Sequence, residues 1–217
     1  MERELSIAIP KGYLFDSSVE ILKKAGYDVD GLLKDDRKLF AYAEKNRMRF
    51  VIARPMDVPV YVEYGACDIG LAGKDVLVEE KRDVFELLDL KTGECRLILA
   101  TLKDCVEEVK NNYEHFGSVR VATKYPNIAR KYFDGKGMQI EIIKLHGSVE
   151  LAPILGIADE ILDITATGKT LKENNLVEME SVMVSTTRLI ANIVSYRIKY
   201  KLINDFVNNI KKVIEQF

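Results

Sequence analysis

Short apolar runs closed by proline or glycine alternate with amphipathic stretches along this chain, and that alternation restricts the fold more than any other feature. LSIAIP (5–10) stops at Pro10-Lys11-Gly12, RFVIARP (49–55) stops at a proline, and CDIGLAG (67–73) leaves through glycines. Short apolar runs with such punctuation read as buried strands. Between them lie SSVEILKKAGY (17–27) and VPVYVEYG (58–65). The first is apolar at helical spacing, with Ser17 or Ser18 to cap it and Gly26 to end it; the second is a short helix stopped by Gly65. Strand, helix, strand, helix, strand predicts a parallel sheet with helices on its faces.

The pattern then repeats. CRLILATL (95–102), VRVATKYP (119–126), MQIEIIKL (138–145) and EILDIT (160–165) read as strands. NIARKYFDGKG and SVELAPILG, the latter with Ser148 as candidate cap, read as helices. A second α/β lobe over 94–179 follows from this. MESVMVSTTRLIAN (179–192) has strand character, and YKLINDFVNNIKKVIEQF is an amphipathic terminal helix. These last elements are expected to return to the first lobe. The expected fold is α/β with mixed or parallel sheets in two lobes, 1–93 plus 180–217 and 94–179.

Composition narrows the chemistry. The 217 residues carry a formal net charge of -2, which gives no bulk electrostatic case for nucleic acid or a membrane surface. No apolar run approaches the ~18–20 residues of a membrane span, and the N-terminus lacks a signal-peptide core. Cys67, Cys95 and Cys105 form no CxxC pair, and His115 and His146 are too scattered for a metal cluster. Reduced cysteines in a cytoplasmic protein are the expectation.

Loops at the carboxyl ends of strands line the ligand crevice of open α/β sheets. That rule selects Pro10 to Gly12, Arg54-Pro55, Gly70 to Asp75, Thr123 to Pro126 and Thr165 to Thr170. The last contains Thr167-Gly168-Lys169-Thr170, which looks like the end of a P-loop. A P-loop needs glycine five positions before its Gly-Lys pair, and that place holds Asp163. A carboxylate there would repel a triphosphate, so the P-loop reading fails. A strand ending near an acid and followed by Thr-x-Thr-Gly-x-Thr suits a sugar 5-phosphate instead. Backbone amides and the hydroxyls of Thr165, Thr167 and Thr170 can take the phosphate, Gly168 admits close approach, and Asp163 can accept from two vicinal ribose hydroxyls. That is the logic of a phosphoribosyl diphosphate site. An N-capped helix with a polar opening turn is the plainer alternative.

GSVELAPILGIADEILDITATGKTLKENNL resembles the signature of the short-form ATP phosphoribosyltransferases of histidine biosynthesis, with Glu150, Gly156, Asp163, Gly168, Thr170 and Leu171 on its key positions. IAIPKGYL, RPMDVPVYVEYGACDIGLAGKDVL, CRLILA and RVATKYPNIARKYF match family segments in family order. The resemblance implies a two-lobed fold similar to type II periplasmic binding proteins, with the active site in the cleft between lobes. It implies joining of ATP to 5-phosphoribosyl 1-diphosphate, with magnesium, to give N1-(5-phospho-β-D-ribosyl)-ATP and diphosphate. It also implies a homodimer of this chain and a regulatory subunit resembling a histidyl-tRNA synthetase, in a hetero-octamer, because the chain stops after KKVIEQF without a histidine-binding extension. Where the family commonly has arginine after its first Pro-Lys-Gly, this chain has Tyr13.

Within that resemblance, Lys11 and the Gly12 amide are candidates for the departing diphosphate, and Glu150 for magnesium or the ribose. Asp163 would hold the ribose hydroxyls, with Thr165, Ala166, Thr167, Gly168, Lys169, Thr170 and Leu171 around the 5-phosphate. ATP would meet Lys11, Gly12, Tyr13, Arg54, Gly73 and Asp75, and Lys124 could reach either substrate. Adenine N1 carries a lone pair, so attack needs no general base. A non-catalytic two-lobed binding module for a phosphorylated small molecule is the alternative from another class, because fold alone does not decide function.

Overall fold

The computed structural model describes residues 4–33, 39–115 and 118–215. The chain divides into two compact units, Met1–Gly93 with Thr186–Phe217, and Glu94–Ser185. In the first unit the order is β1 (Leu5–Pro10), α1 (Phe15–Lys24), α2 (Asp30–Leu33), β2 (Phe40–Ala43), β3 (Met48–Ala53), α3 (Val58–Glu63), β4 (Ile69–Gly73), α4 (Lys74–Glu80) and β5 (Phe85–Asp89). The second unit holds β6 (Cys95–Leu102), α5 (Val106–His115), β7 (Ser118–Thr123), α6 (Pro126–Gly135), β8 (Gln139–Lys144), α7 (Leu151–Ile154), β9 (Glu160–Thr165), α8 (Lys169–Glu173) and β10 (Leu176–Ser185). Then β11 (Thr187–Ala191), α9 (Ile193–Ile198) and α10 (Tyr200–Ile214) belong to the first unit again.

The first sheet runs β2-β3-β1-β4-β11-β5. Central β1 pairs in parallel with β3 and β4, while β2, β11 and β5 join antiparallel. All six residues of β1 are buried, as expected of a strand covered on both faces. The second sheet runs β10-β6-β9-β7-β8. There β7 pairs in parallel with β8 and β9, and β6 is antiparallel to β9 and β10. Both sheets are therefore mixed. The parallel core expected from the strand–helix rhythm is present; both edges of the first sheet and the β10 edge of the second are antiparallel, while the β8 edge stays parallel.

Two core clusters lie in the first unit, one around Ile7 and Phe206 and one around Val58 and Val62. Ile7, Ile9, Leu22, Phe50, Ile69 and Leu71 are buried together with Phe206 of α10. Two polar ties anchor the returning C-terminal segment. The Lys199 ammonium meets the Asp68 carboxylate at 2.7 Å, and the Ser6 amide and hydroxyl donate to the same oxygen at 2.8 and 2.9 Å. Burial alone would raise the Asp68 carboxyl, but these donors hold it below its ordinary value. Asn192 caps α9 by accepting from the Ser195 amide at 2.8 Å, and its Nδ2 donates to the carbonyls of Val62 and Glu63 at 2.9 Å each.

Three local expectations need correction. Helix α1 begins at Phe15, not at the serines, and the Ser17 and Ser18 hydroxyls donate back to the Leu14 carbonyl at 3.2 and 2.5 Å. Gly12, at φ +81°, makes the turn that starts the helix early, with the Phe15 amide on its carbonyl at 2.9 Å. Ser148 is not a cap; it lies at φ +47°, and Glu150 occupies the capping position of α7. The boundary expected near residue 180 falls inside β10, which pairs along β6 as far as Ser185.

Candidate active site

In the second unit, the carboxyl ends of the parallel neighbours β7 and β9 present two of the loops chosen from sequence, Thr123 to Pro126 and Thr165 to Thr170. Asp163 lies near the end of β9, half-buried, and its Oδ1 accepts from the Ile164 amide at 2.8 Å. Burial pushes its carboxyl up to about 6; the Ile164 amide opposes that shift, Glu150 adds to it, and Lys124 opposes it. Glu150, Lys124 and Asp163 thus share one electrostatic neighbourhood. Glu150 makes no side-chain cap bond to α7, a helix of only four residues, so it is not there to satisfy that helix.

The loop after β9 is held by its own threonines. The Gly168 amide donates to Thr165 Oγ1 at 3.0 Å, and the Lys169 amide to Thr167 Oγ1 at 3.4 Å. Gly168 sits at φ +71°, a left-handed conformation, and the space where a Cβ would stand is open. Ala166, Thr167, Lys169 and Thr170 are exposed, and Lys169 pairs with Glu173 at 3.8 Å. Leu171 faces the other way and packs on the core cluster of Ile98, Ala122 and Ile161. Helix α8 has five residues, so its macrodipole is small. The loop's capacity for an anion rests on amides and hydroxyls.

Behind both loops, Thr123 is fully buried. Its hydroxyl donates to the Leu162 carbonyl at 2.6 Å and accepts from the Tyr125 amide at 2.8 Å. Sequence reasoning chose this loop but gave Thr123 no part.

In the first unit, Lys11 follows β1, Arg54 follows β3, and Gly73 ends β4. Because β1 pairs with both other strands, these three positions share one sheet edge. The Lys11 amide donates to the Ala53 carbonyl at 2.8 Å, which fixes the first two loops together. Lys11 and Arg54 line one groove of about 780 Å³ with Phe40, Arg49, Tyr61 and Cys67. Cations beside aromatic rings suit an anionic, flat ligand. Gly73 and Asp75 do not line this groove: Gly73 is buried at the start of α4, and Asp75 is only 5% exposed in its first turn. Tyr13, at 60% exposed, and Gly12 stand in the open turn after Lys11. Sequence reasoning missed Arg49, Phe40 and Tyr61. The one available signal was a charge inside the apolar run of β3.

Cys67, Cys95 and Cys105 form no disulfide, and burial pushes the Cys67 thiol up to about 11, which keeps it inert. His115 and His146 lie on separate segments, and among the described residues no three His, Cys, Asp or Glu side chains are grouped to hold a metal ion. No helix among the described residues is long and apolar enough to cross a membrane.

Residues 54–212 match a family model described as "HisG: ATP phosphoribosyltransferase". A protein of Halalkalibacterium halodurans named ATP phosphoribosyltransferase is 50% identical over 213 residues, covering 97% of each chain. A Geobacillus protein of the same name is 50% identical over 212 residues, covering 98% of this chain and 100% of its own. Its Bacillus subtilis namesake is 46% identical over 216 residues, covering 99% and 98%. Among solved structures, a chain of the "ATP phosphoribosyl transferase (HisG:HisZ) complex from Thermotoga maritima" superposes with a TM-score of 0.79 at 36% identity, over 98% of this chain and all of that one. A structure described as Tv2483 bound to L-arginine, 13% identical, gives 0.61 over 98% and 84%, a likeness of fold alone.

Proposed function

The chain belongs to the ATP phosphoribosyltransferase family, and from that premise we propose how its own residues join ATP to 5-phosphoribosyl 1-diphosphate in the first step of histidine biosynthesis. The observation that carries the reading is the half-buried Asp163 beside an open, threonine-lined turn with Gly168 at its tip. Asp163 accepts from the two ribose hydroxyls. The Gly168 and Lys169 amides leave their threonine partners for the 5-phosphate, to which Thr165, Thr167 and Thr170 add hydroxyls. Ala166 presents backbone only, and Leu171 anchors the turn to the core.

The reaction displaces diphosphate from the anomeric carbon through an oxocarbenium-like transition state. Adenine N1 attacks with its lone pair, so the protein's task is alignment and charge stabilisation. Lys11 and the Gly12 amide receive the growing charge on the diphosphate. Arg54 holds ATP phosphates, a role supported by the groove it shares with Lys11. Tyr13 offers a ring and a hydroxyl where an arginine is common in the family. Gly73 and Asp75 shape the turn after β4, and Asp75 acts there through its buried position rather than by direct contact.

Magnesium fits this site as a substrate-borne ion. Glu150 and Asp163 offer hard carboxylate oxygens in one neighbourhood, and no enclosing cluster exists among the described residues, so phosphate and hydroxyl oxygens would complete the ligand set. When bound, the ion neutralises charge on the leaving diphosphate. The chain acts with a regulatory subunit that resembles a histidyl-tRNA synthetase, as a homodimer within a hetero-octamer. The Thermotoga maritima neighbour, described as a HisG:HisZ complex, supports the two-component assembly. The place of action is the cytoplasm, in keeping with three cysteines that form no disulfide.

The test is a product analysis with the regulatory subunit present. One diphosphate should be released per N1-phosphoribosyl-ATP formed, neither substrate should react alone, and Arg54→Ala should raise KM for ATP about tenfold. Cleavage of ATP without phosphoribosyl diphosphate would sink the proposal.

A further inference from the structure

Thr123 closes strand β7 at the point where β7 and β9 part. Their parallel pairing runs from Val121 opposite Glu160 to Thr123 opposite Leu162. Beyond that pair β9 continues against β6 to Thr165, while β7 turns through Lys124 and Tyr125 into α6. Asp163 and Lys124 are the first residues past the end of the pairing, and Lys124 is close enough to Asp163 to lower its carboxyl. The link still present at that point is a side chain. The Thr123 hydroxyl donates to the carbonyl of Leu162, the residue before Asp163, at 2.6 Å. The same oxygen accepts from the amide of Tyr125, the residue after Lys124, at 2.8 Å. The Thr123 carbonyl in turn accepts from the Leu145 amide at 3.0 Å, so the backbone that carries the hydroxyl is itself held.

We propose that Thr123 is a positioning residue for phosphoribosyl diphosphate, its hydroxyl clamping the strand end that carries Asp163 to the loop that carries Lys124. The inference rests on the reading of Asp163 as the ribose ligand. A hydroxyl is required because one atom must both donate and accept; valine fills the same volume but takes a partner from the Leu162 carbonyl and the Tyr125 amide at once. A lost clamp does not remove a substrate contact. It widens the distribution of Asp163–Lys124 separations, and well-placed groups lose binding steeply with small displacements.

The experiment compares Thr123→Ser, Thr123→Ala and Thr123→Val with the wild type and with Asp163→Asn, all with the regulatory subunit. Serine and alanine both lack the methyl group and differ only in the hydroxyl, so this pair decides the matter even if the valine variant fails to fold. The serine variant should keep KM for phosphoribosyl diphosphate within about twofold, and alanine should raise it about tenfold, with KM for ATP unmoved in both. Equal values for serine and alanine, or a parallel rise in both KM values with a lowered melting temperature, would overturn the proposal. If Asp163→Asn leaves KM for phosphoribosyl diphosphate at the wild-type value, the underlying site reading fails instead.

Discussion

Burial pushes the Asp163 carboxyl up to about 6, Glu150 adds to the shift, and the Ile164 amide and Lys124 oppose it. A ribose ligand must be ionised to accept from two hydroxyls, so kcat/KM for phosphoribosyl diphosphate should fall below about pH 6, roughly tenfold per pH unit. Asp163→Asn should abolish that limb; a limb unchanged in the variant would assign it elsewhere. The same shift is a stability statement. A carboxyl whose pKa rises on folding costs stability as pH climbs from its unfolded value through its folded one. Glu160, at the other end of β9, shows this without a catalytic role. It is buried, accepts from the Tyr113 hydroxyl, and burial pushes it up to about 7; Asp159 and Glu180 add to the shift, and Tyr113 and Lys136 oppose it. Glu160→Gln should therefore gain stability over the wild type as pH rises from about 4.5 to 7 and hold that gain above. Denaturant unfolding at pH 5 and pH 8 measures it; a gain equal at both would mean the carboxyl is already charged in the folded state.

At the scale of elements, α10 shows what period alone can specify. Ile203, Phe206, Ile210 and Val213 form one buried stripe, and Phe206 stacks on Tyr27 with ring centroids 4.9 Å apart. Phe206→Ala should cost about 3–5 kcal/mol in denaturant unfolding while both KM values stay put, because the core residues it is buried with are not themselves placed at either substrate. A loss below about 1 kcal/mol would mean the stripe is not a core contact. That helix was legible in the sequence, as were β1, β3, β4 and β9, because buried strands and amphipathic helices write their environment into consecutive residues. Strands β2 and β5 were not. They are four and five residues long, and their pairing is decided by neighbours remote in sequence. Residues 179–192 read as one strand because no glycine or proline interrupts them, yet β10 pairs with β6 and β11 with β4 and β5, so tertiary pairing sets the break at Thr186. Ser17, Ser18 and Ser148 have the side chain of a cap in the wrong place, since a left-handed turn at Gly12 and at Ser148 itself starts each helix elsewhere.

For the molecule as a whole, legibility follows contiguity. The phosphoribosyl loop could be read because an acid, three threonines and a glycine lie within eight residues and share one chemistry. The groove around Lys11 and Arg54 could not, because Phe40, Arg49 and Tyr61 come from an edge strand, its neighbour and a helix. Thr123 stayed silent because a buried threonine in a strand is ordinary until its two hydrogen-bond partners are known. The molecule spends stability at Asp163 to keep a carboxylate poised in a poorly solvated place, so removing its charge should loosen substrate binding without loosening the fold. Equilibrium titration of phosphoribosyl diphosphate with magnesium into wild type and Asp163→Asn, at a pH well above 6, tests this most directly. Affinity should fall roughly tenfold to a hundredfold in the variant, with an unfolding midpoint equal to or above that of the wild type. Equal affinity in the two proteins would contradict this.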